Sequence, residues 1–588
     1  MPRSFASSLG LMGVSLLAAC SFPPVFRREA REDVLTLPDA TDATMEAALD
    51  AGRDATSEPV DVAADRAIDS APDALPDASP DASPDALPDA LPDASPDASP
   101  DASPDAASDA GCAPVLDAGP APRVTWGRNW GGPGHNGSNG GGPTSLGTKG
   151  EITSDDRSNV YVVSTYGSGI EVAGTPYATS RFGALLIKYD STGARQWVRN
   201  FNSPAAPGAA DFNPQRLFWD RARDEVVVLA NGFGGEGRVD STRVGMSALS
   251  ASAVVVRLDA STGNVVGSYV FNTAQWDATA LARTPSGNIL IGGSIWSDIN
   301  LPGGIVARPN FAGVADILVV EWNYVTNTVV RHWVIGGAGY EYLRAVAMLP
   351  GGDIILGGQY SAGAATTIGG ITVPATMGED AMFARITAAG VVSAFRVMRG
   401  PTNNSAVSDV QVGPSGDYYV SGYYDGSIEY DAMTPRSISG SSTGSFVARV
   451  RASDNDWAWF VGQTGGSGTV EGVRRIVVDS CERVHVAFAT GARDSFTEFA
   501  GVSLSPSGAA QLYAHTFIGV MRGSDASMIR LDRIGPTSAG FFGLQAMTLL
   551  PDGRHAIKGD LSGTMTVEGV TFTTPDNMID QFAAALSF

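Results

Sequence analysis

The sequence predicts an all-β fold, a seven-bladed β-propeller of four-stranded antiparallel blades, and three observations predict it. A unit of about 65 residues, plainest at Ala345 to Gly357 (AVAMLPGGDIILG), sets two apolar strands on either side of a tight turn. The same turn can be found seven times. The last unit stops one strand short, at Phe588, and a lone strand, Arg123 to Trp130, precedes the first. One chain end can therefore complete the other.

The seven turns are Ser158-Asn159, Arg223-Asp224, Ser286-Gly287-Asn288, Gly351-Gly352-Asp353, Ser415-Gly416-Asp417, Cys481-Glu482-Arg483 and Asp552-Gly553-Arg554. The strands after them begin near Val160, Val226, Ile289, Ile354, Tyr418, Val484 and His555, a spacing of about 63 to 71 residues. A third strand follows in most units, as in Asp316 to Val320, Asp380 to Arg385, Ser445 to Arg449 and Asp580 to Ala584. A turn and a fourth strand complete the unit, as in Asp190-Ser-Thr-Gly193 running on to Trp197. Four antiparallel strands repeated radially make propeller blades. A solenoid of the same units would leave apolar ends in need of caps. Borrowing the strand before the first unit removes a free sheet edge and closes the ring.

The N-terminus reads as an address and a tether. Met1 to Cys20 carries one basic residue, Arg3, and an apolar run from Leu9 to Ala19, too short to span a bilayer. It ends Leu17-Ala18-Ala19-Cys20, which resembles the lipobox of bacterial lipoproteins. That resemblance implies that residues 1–20 carry the lipoprotein signal, cut before Cys20 so that Cys20 becomes the acylated first residue and anchors the chain to a membrane. Ser21, in place of Asp, implies the outer membrane, with surface exposure expected and a periplasm-facing position as the alternative.

Residues 21–121 form an expected disordered linker, and most of the net charge of -23 belongs to it. About 23 acidic against about 5 basic residues leave the segment near -18 and Pro122 onward near -6. An acidic residue recurs every fourth position from Asp61 to Asp109, with proline too frequent for a helix. An extended, self-repelling spacer results, able to hold the ring on the order of 100 Å from the lipid. A calcium-binding or mineral-binding tract is the alternative. With 17% charged residues and no Lys/Arg stripe in the globular part, nucleic-acid binding is not expected.

At residues 122–588 the pattern is similar to a known family. A G-N/D-x-h-x-h-x-G strand, an excursion with paired glycines, then D-A-F-h-A-K/R and a D-x-x-G turn resemble the bacterial seven-bladed propeller repeat often called SBBP. The excursion is visible in Thr367 to Val373, Phe499 to Leu504 and Val567 to Phe572. The second and sixth units depart most, lacking the turn glycine at Arg223-Asp224-Glu225 and Cys481-Glu482-Arg483. The resemblance implies an architecture and a cell-surface tendency. It implies no catalytic residues.

Candidate chemistry is sparse. Asp190-Ser-Thr-Gly193 and Asp259-Ala-Ser-Thr-Gly263 look like turns of quinoprotein-type propellers, but Asp-x-x-Gly is also what a tight turn requires, and no cofactor is expected. The five histidines, His135, His332, His485, His515 and His555, show no metal-ligand spacing, and no metal is expected. No serine stands in a nucleophile-elbow pentapeptide. An aromatic residue stands just past the second strand of five blades: Tyr166, Phe233, Trp296, Tyr360 and Tyr424. On the face of the inter-blade connections they could stack on a ligand, or pack against the neighbouring blade. With Cys20 in lipid, Cys112 and Cys481 are left to pair in an oxidising compartment. The expected function is a single-copy, non-catalytic envelope module binding a protein or glycan; the alternatives are an outer-membrane assembly scaffold and a hydrolase or lyase of extracellular polymer.

Overall fold

The computed structural model describes residues 123–131, 151–166, 169–178, 183–202, 212–271, 275–311, 313–376, 378–400, 404–431, 436–465, 475–490, 497–504, 515–534, 540–567, 570–574 and 580–588. The chain divides into two units, Met1–Asp101 and Ala102–Phe588. The expected signal, Cys20, the linker and Cys112 all lie outside the described residues.

Seven four-stranded antiparallel sheets follow one another: blade 1 over 152–202, blade 2 over 212–271, blade 3 over 276–335, blade 4 over 340–398, blade 5 over 406–465 and blade 6 over 476–534. Blade 7 takes three strands from 540–587 and its outer strand from Arg123–Trp130. Arg123 pairs with Ser587 and Trp130 with Gln581, so the chain ends close the ring as expected. Trp126 and Trp130 of this closing strand are buried and lie against Tyr189 of blade 1, with ring centroids 5.5 and 6.1 Å away.

The inner turn has one geometry in blades 1, 3, 4, 5, 6 and 7. Its first N–H donates to the fifth carbonyl and its fourth N–H to the first carbonyl, as in Leu349 with Asp353 (2.8 Å) and Gly352 with Leu349 (2.9 Å). The fourth residue must take a positive φ, +86° at Gly352. Where glycine is missing the turn survives with a strained residue: Ser158 and Glu482 at +58°, and Asp224 of blade 2 at +51°.

The last glycine of the strand motif has a different cause. Each inner strand of blades 2, 3, 4, 5 and 7 carries a bulge, skipping Gln215, Thr279, Arg344, Ser408 and Gln545 in the pairing. The bulge pushes an inner-strand carbonyl toward the second strand. A Cβ on Gly358 would lie 1.9 Å from Tyr342 O, and one on Gly422 would lie 1.9 Å from Ala406 O.

Blades are joined at both ends of each seam. The excursion between second and third strands reaches back to the preceding blade: Asn202 of blade 1 pairs with Arg238 of blade 2, Arg399 of blade 4 with Glu429 of blade 5, and Gln463 of blade 5 with Phe499 of blade 6. At the other end the cation closing the third-strand motif reaches forward. Lys188 Nζ donates to Ala260 O (2.8 Å) and Arg449 Nη1 to Gly523 O (2.8 Å), each a turn of the next blade. Blade 3 has Glu321 at this position, and Arg331 of its outer strand pairs with it and donates to Ala388 O (2.9 Å). Apolar layers fill the seams between, such as Ile317 and Val319 of blade 3 with Leu343, Ile354 and Leu356 of blade 4.

Candidate functional site

Three places gather side chains that could carry chemistry: the central channel, the blade 3–4 seam on the face of the inter-blade connections, and the blade 6–7 seam at the opposite face.

The channel is crossed by charge. Glu151 accepts from Arg216 with Oε1 and from Arg475 with Oε2, and Arg475 Nη1 lies 3.4 Å from Asp409 Oδ1. Arg216 Nη2 also donates to the carbonyl of Arg344 at 2.7 Å. These residues belong to blades 1, 2, 4, 5 and 6, several of them not adjacent, so the contacts run across the ring's centre. Arg216 is buried, and burial pulls its guanidinium below the usual range despite the Glu151 charge. Both carboxylates are held by guanidinium groups, and neither stands free as an acid or base. Arg344, in the blade 4 bulge, donates to Gln359 Oε1 (3.0 Å from Nε), and Gln359 Nε2 donates to Glu379 Oε2 (2.9 Å).

The blade 3–4 seam holds the densest set of unusual groups. Trp296, Tyr340 and Tyr342 are half-buried, with Tyr342 stacked on Tyr340 (6.3 Å) and tilted to Trp296 (6.4 Å). Phe311 is exposed, and the N–H of Asn310 before it donates to Asp316 Oδ2. Below them Asp316 and Glu341 are fully buried. Burial pushes Asp316 up to about 6, and burial with the Asp316 charge pushes Glu341 up to about 8. Asp316 and Glu341 hydrogen-bond each other and Glu341 accepts from the Gly337 N–H, while Trp296 Nε1, Tyr342 Oη and Tyr360 Oη meet no hydrogen-bond partner among the described residues. Native interiors rarely leave such groups bare.

The aromatic candidates divide. Tyr166, Tyr360 and Tyr424 are buried: Tyr166 donates to Asn200 Oδ1 (2.7 Å), Tyr424 to Gln463 O, and Tyr360 packs edge-on to Phe395. Their faces are taken by the core and are not offered to a ligand. Trp296 alone stands half-exposed, and the side chain of Phe233 lies outside the described part. Tyr340 and Tyr342 escaped sequence reasoning, although aromatic residues on both sides of a glutamate in an inner strand are an unusual signal.

At the opposite face His485 and His555, unrelated by spacing, meet. His485 Nδ1 lies 2.7 Å from His555 Nε2, and His485 Nε2 lies 3.2 Å from Asp479 Oδ2. All three are buried. Burial and then the neighbouring His485 hold His555 well below the usual imidazole range. Burial alone would raise Asp479, yet bonds from His485 and Arg483 hold it well below the carboxylate range. Among the described residues no group of three or more His, Cys, Asp or Glu is placed to hold a metal. Cys481 sits half-buried in the adjoining turn, and its expected partner Cys112 is outside the described residues. The side chains of Asp190 and Asp259 are engaged in their own turns: Asp190 Oδ1 accepts from the N–H groups of Thr192 and Ala194 (2.9 Å each), and Asp259 Oδ1 from Thr262 (2.7 Å).

No protein-family model and no curated protein matches the chain, so the SBBP resemblance rests on the motifs themselves. Solved propellers do resemble it. The Dos1 propeller is 8% identical over 79% of this chain and 95% of its own, with a TM-score of 0.35. An ulvan lyase of a new polysaccharide lyase family is 11% identical over 77% and 100%, with a TM-score of 0.41. The periplasmic gluconolactonase of Pseudomonas aeruginosa is 9% identical over 69% and 95%, with a TM-score of 0.32. At such identities these likenesses concern fold and nothing further.

Proposed function

We propose that the chain is a lipid-anchored, non-catalytic binding module of the outer envelope, holding a protein or glycan partner on the face of the inter-blade connections. The observation that carries this is the half-exposed group Trp296, Tyr340 and Tyr342 on that face, beside the exposed Phe311. Rigid aromatic rings supply large contact area at small entropic cost, against sugar rings or protein side chains alike. The neutralised channel carboxylates Glu151 and Asp409 favour binding over acid–base chemistry.

The tether would leave from the other face, where Arg123 pairs beside the C-terminus. A Cys112–Cys481 bridge would tie it to blade 6. If Cys20 carries lipid, Cys112 and Cys481 are the two cysteines left in an oxidising compartment, which supports that pairing. The aromatic face would then be left free. To test the reading, the full chain is immobilised and offered envelope polysaccharide and surface protein from the producing cells. Trp296→Ala with Tyr340→Ala is expected to cut retention at least about tenfold at unchanged thermal stability, the scale of a binding hot spot. Equal retention by the wild type and the double variant would overturn it.

A further inference from the structure

We propose that the aromatic group at the blade 3–4 seam takes a glycan whose sugars carry free amino groups. This names the partner chemistry of the face described above and rests on that reading.

The placement comes from the inner strands. Tyr340 and Tyr342 lie two residues apart on the first strand of blade 4, Tyr340–Met348, so both side chains share one face. Their rings run nearly parallel, 12° apart, and both are half-buried. Trp296 follows the second strand of blade 3 and tilts to Tyr342 from across the seam. Thr279 Oγ1 donates to Leu343 O, which sets the inner strands of the two blades side by side at that level. Asp277 lies two residues before Thr279, toward the end of the strand that Tyr340 and Tyr342 occupy in blade 4.

The charge around these rings selects among sugars. Asp277 is half-buried and accepts from Asn231 Nδ2 at 2.6 Å. Glu379 is half-buried and accepts from Gln359 Nε2; burial first, and then the Glu379 charge, raise the Tyr342 phenol above its usual range. The hydrogen-bonded pair Asp316 and Glu341 adds negative charge from below. Against these the described residues set Arg344, whose guanidinium is turned to Gln359 Oε1. Arg308 is matched by Asp298 at 3.4 Å, and Arg399 faces Asp380. Such a field repels uronate and sulfate groups and attracts an ammonium, which the ring faces also favour. Three rings to two half-buried carboxylates suit a sugar better than a lysine-rich peptide. Pyranose rings offer apolar faces for stacking and hydroxyls for Glu379 and Asp277, whereas a basic peptide calls for a denser acidic surface.

The test titrates the full chain with a glucosamine tetramer at about pH 6, where its amines hold protons, and about 0.15 M salt. The N-acetylated tetramer, a galacturonate tetramer and tetralysine run beside it, read by calorimetry and tryptophan fluorescence. Saturable binding of the amine tetramer, at least about tenfold tighter than the acetylated or uronate form, is expected. Glu379→Gln should weaken the amine tetramer at least about fivefold and leave the acetylated one unchanged, whereas Trp296→Ala should weaken both. Melting temperatures check that each variant is folded. Amine binding that neither variant changes belongs to the acidic residues of 21–121 and overturns the site. Equal affinity for the amine and the acetylated or uronate forms overturns the amino-sugar assignment. Tighter binding of tetralysine that the same variants weaken overturns the glycan in favour of a basic protein. No binding of any probe also overturns the proposal. In each case the partner face itself stands if Trp296→Ala with Tyr340→Ala still loses retention of envelope material, and falls if retention is unchanged.

Discussion

Gly358 pairs opposite an inner-strand bulge, and the carbonyl of Tyr342 occupies the space where its side chain would be. Gly358→Ala should therefore cost about 3 kcal/mol or more, read as a lower denaturant midpoint, because backbone and not a flexible side chain must move. Gly351→Ala is the paired control: nothing lies within 4 Å of its Cβ, and stability should hardly change. Ala173 is the converse case, an exposed residue at φ +46° in the excursion hairpin of blade 1. Ala173→Gly should raise stability by roughly 0.5–1 kcal/mol, since the left-handed conformation costs alanine more than glycine. At this scale the sequence showed where glycines recur and why a turn needs them. It could not show that the strand glycine answers a bulge on a different strand, because a two-residue period carries no sign of a skipped residue. Glu151, Arg216 and Arg475 stayed hidden for a related reason. A charge in an alternating strand reads as solvent-facing, and only the closed ring reveals that this face is the channel.

The blade seam was half legible. The recurring cation at the end of the third strand stood out, and its partner, the turn of the next blade, became visible only in three dimensions. Arg449 shows the whole device: ion pairs to Asp417 (2.9 Å) and Glu482 (3.3 Å), and a bond to Gly523 O. Arg449→Ala should cost about 2–3 kcal/mol, and Arg449→Lys should recover less than half, because a single ammonium cannot reproduce the fork. The blade 6–7 seam adds a pH dependence that spacing could not suggest, since His485 and His555 are 70 residues apart. His555 is faced by His485, with Asp479, Arg483, Arg530 and Phe588 around the pair. The unfolded chain protonates this imidazole near its ordinary pKa of 6.5, whereas the buried folded form stays neutral below it. The unfolded state thus binds more protons, and stability falls as pH drops through about 6.5. Asp479, held low in the fold, adds a loss in the same direction at more acid pH. His555→Phe should remove the step near pH 6.5 in denaturation midpoints compared between pH 5 and 7.5; an unchanged step would assign it elsewhere.

For the whole molecule, closure is the property most plainly written in the sequence, through a lone strand at one end and a missing one at the other. Its strength lies in Trp126 and Trp130, which bury against blade 1 while their strand completes blade 7. Trp130 also donates to Ser164 Oγ at 2.7 Å, so three parts of the chain meet at one side chain. Trp130→Ala should cost about 3–5 kcal/mol and lower the melting of the entire ring, not of blade 7 alone. Tight seams should make the ring resist proteases, and if residues 21–121 are the extended spacer proposed, cleavage should concentrate there. The most direct test of a tethered outer-envelope module is therefore protease treatment of intact cells, blotting for the ring with a periplasmic protein as leakage control. Release of one resistant fragment beginning near residue 122 is the expected result. Full protection in intact cells, with the spacer still cut after lysis, would contradict a surface-exposed module.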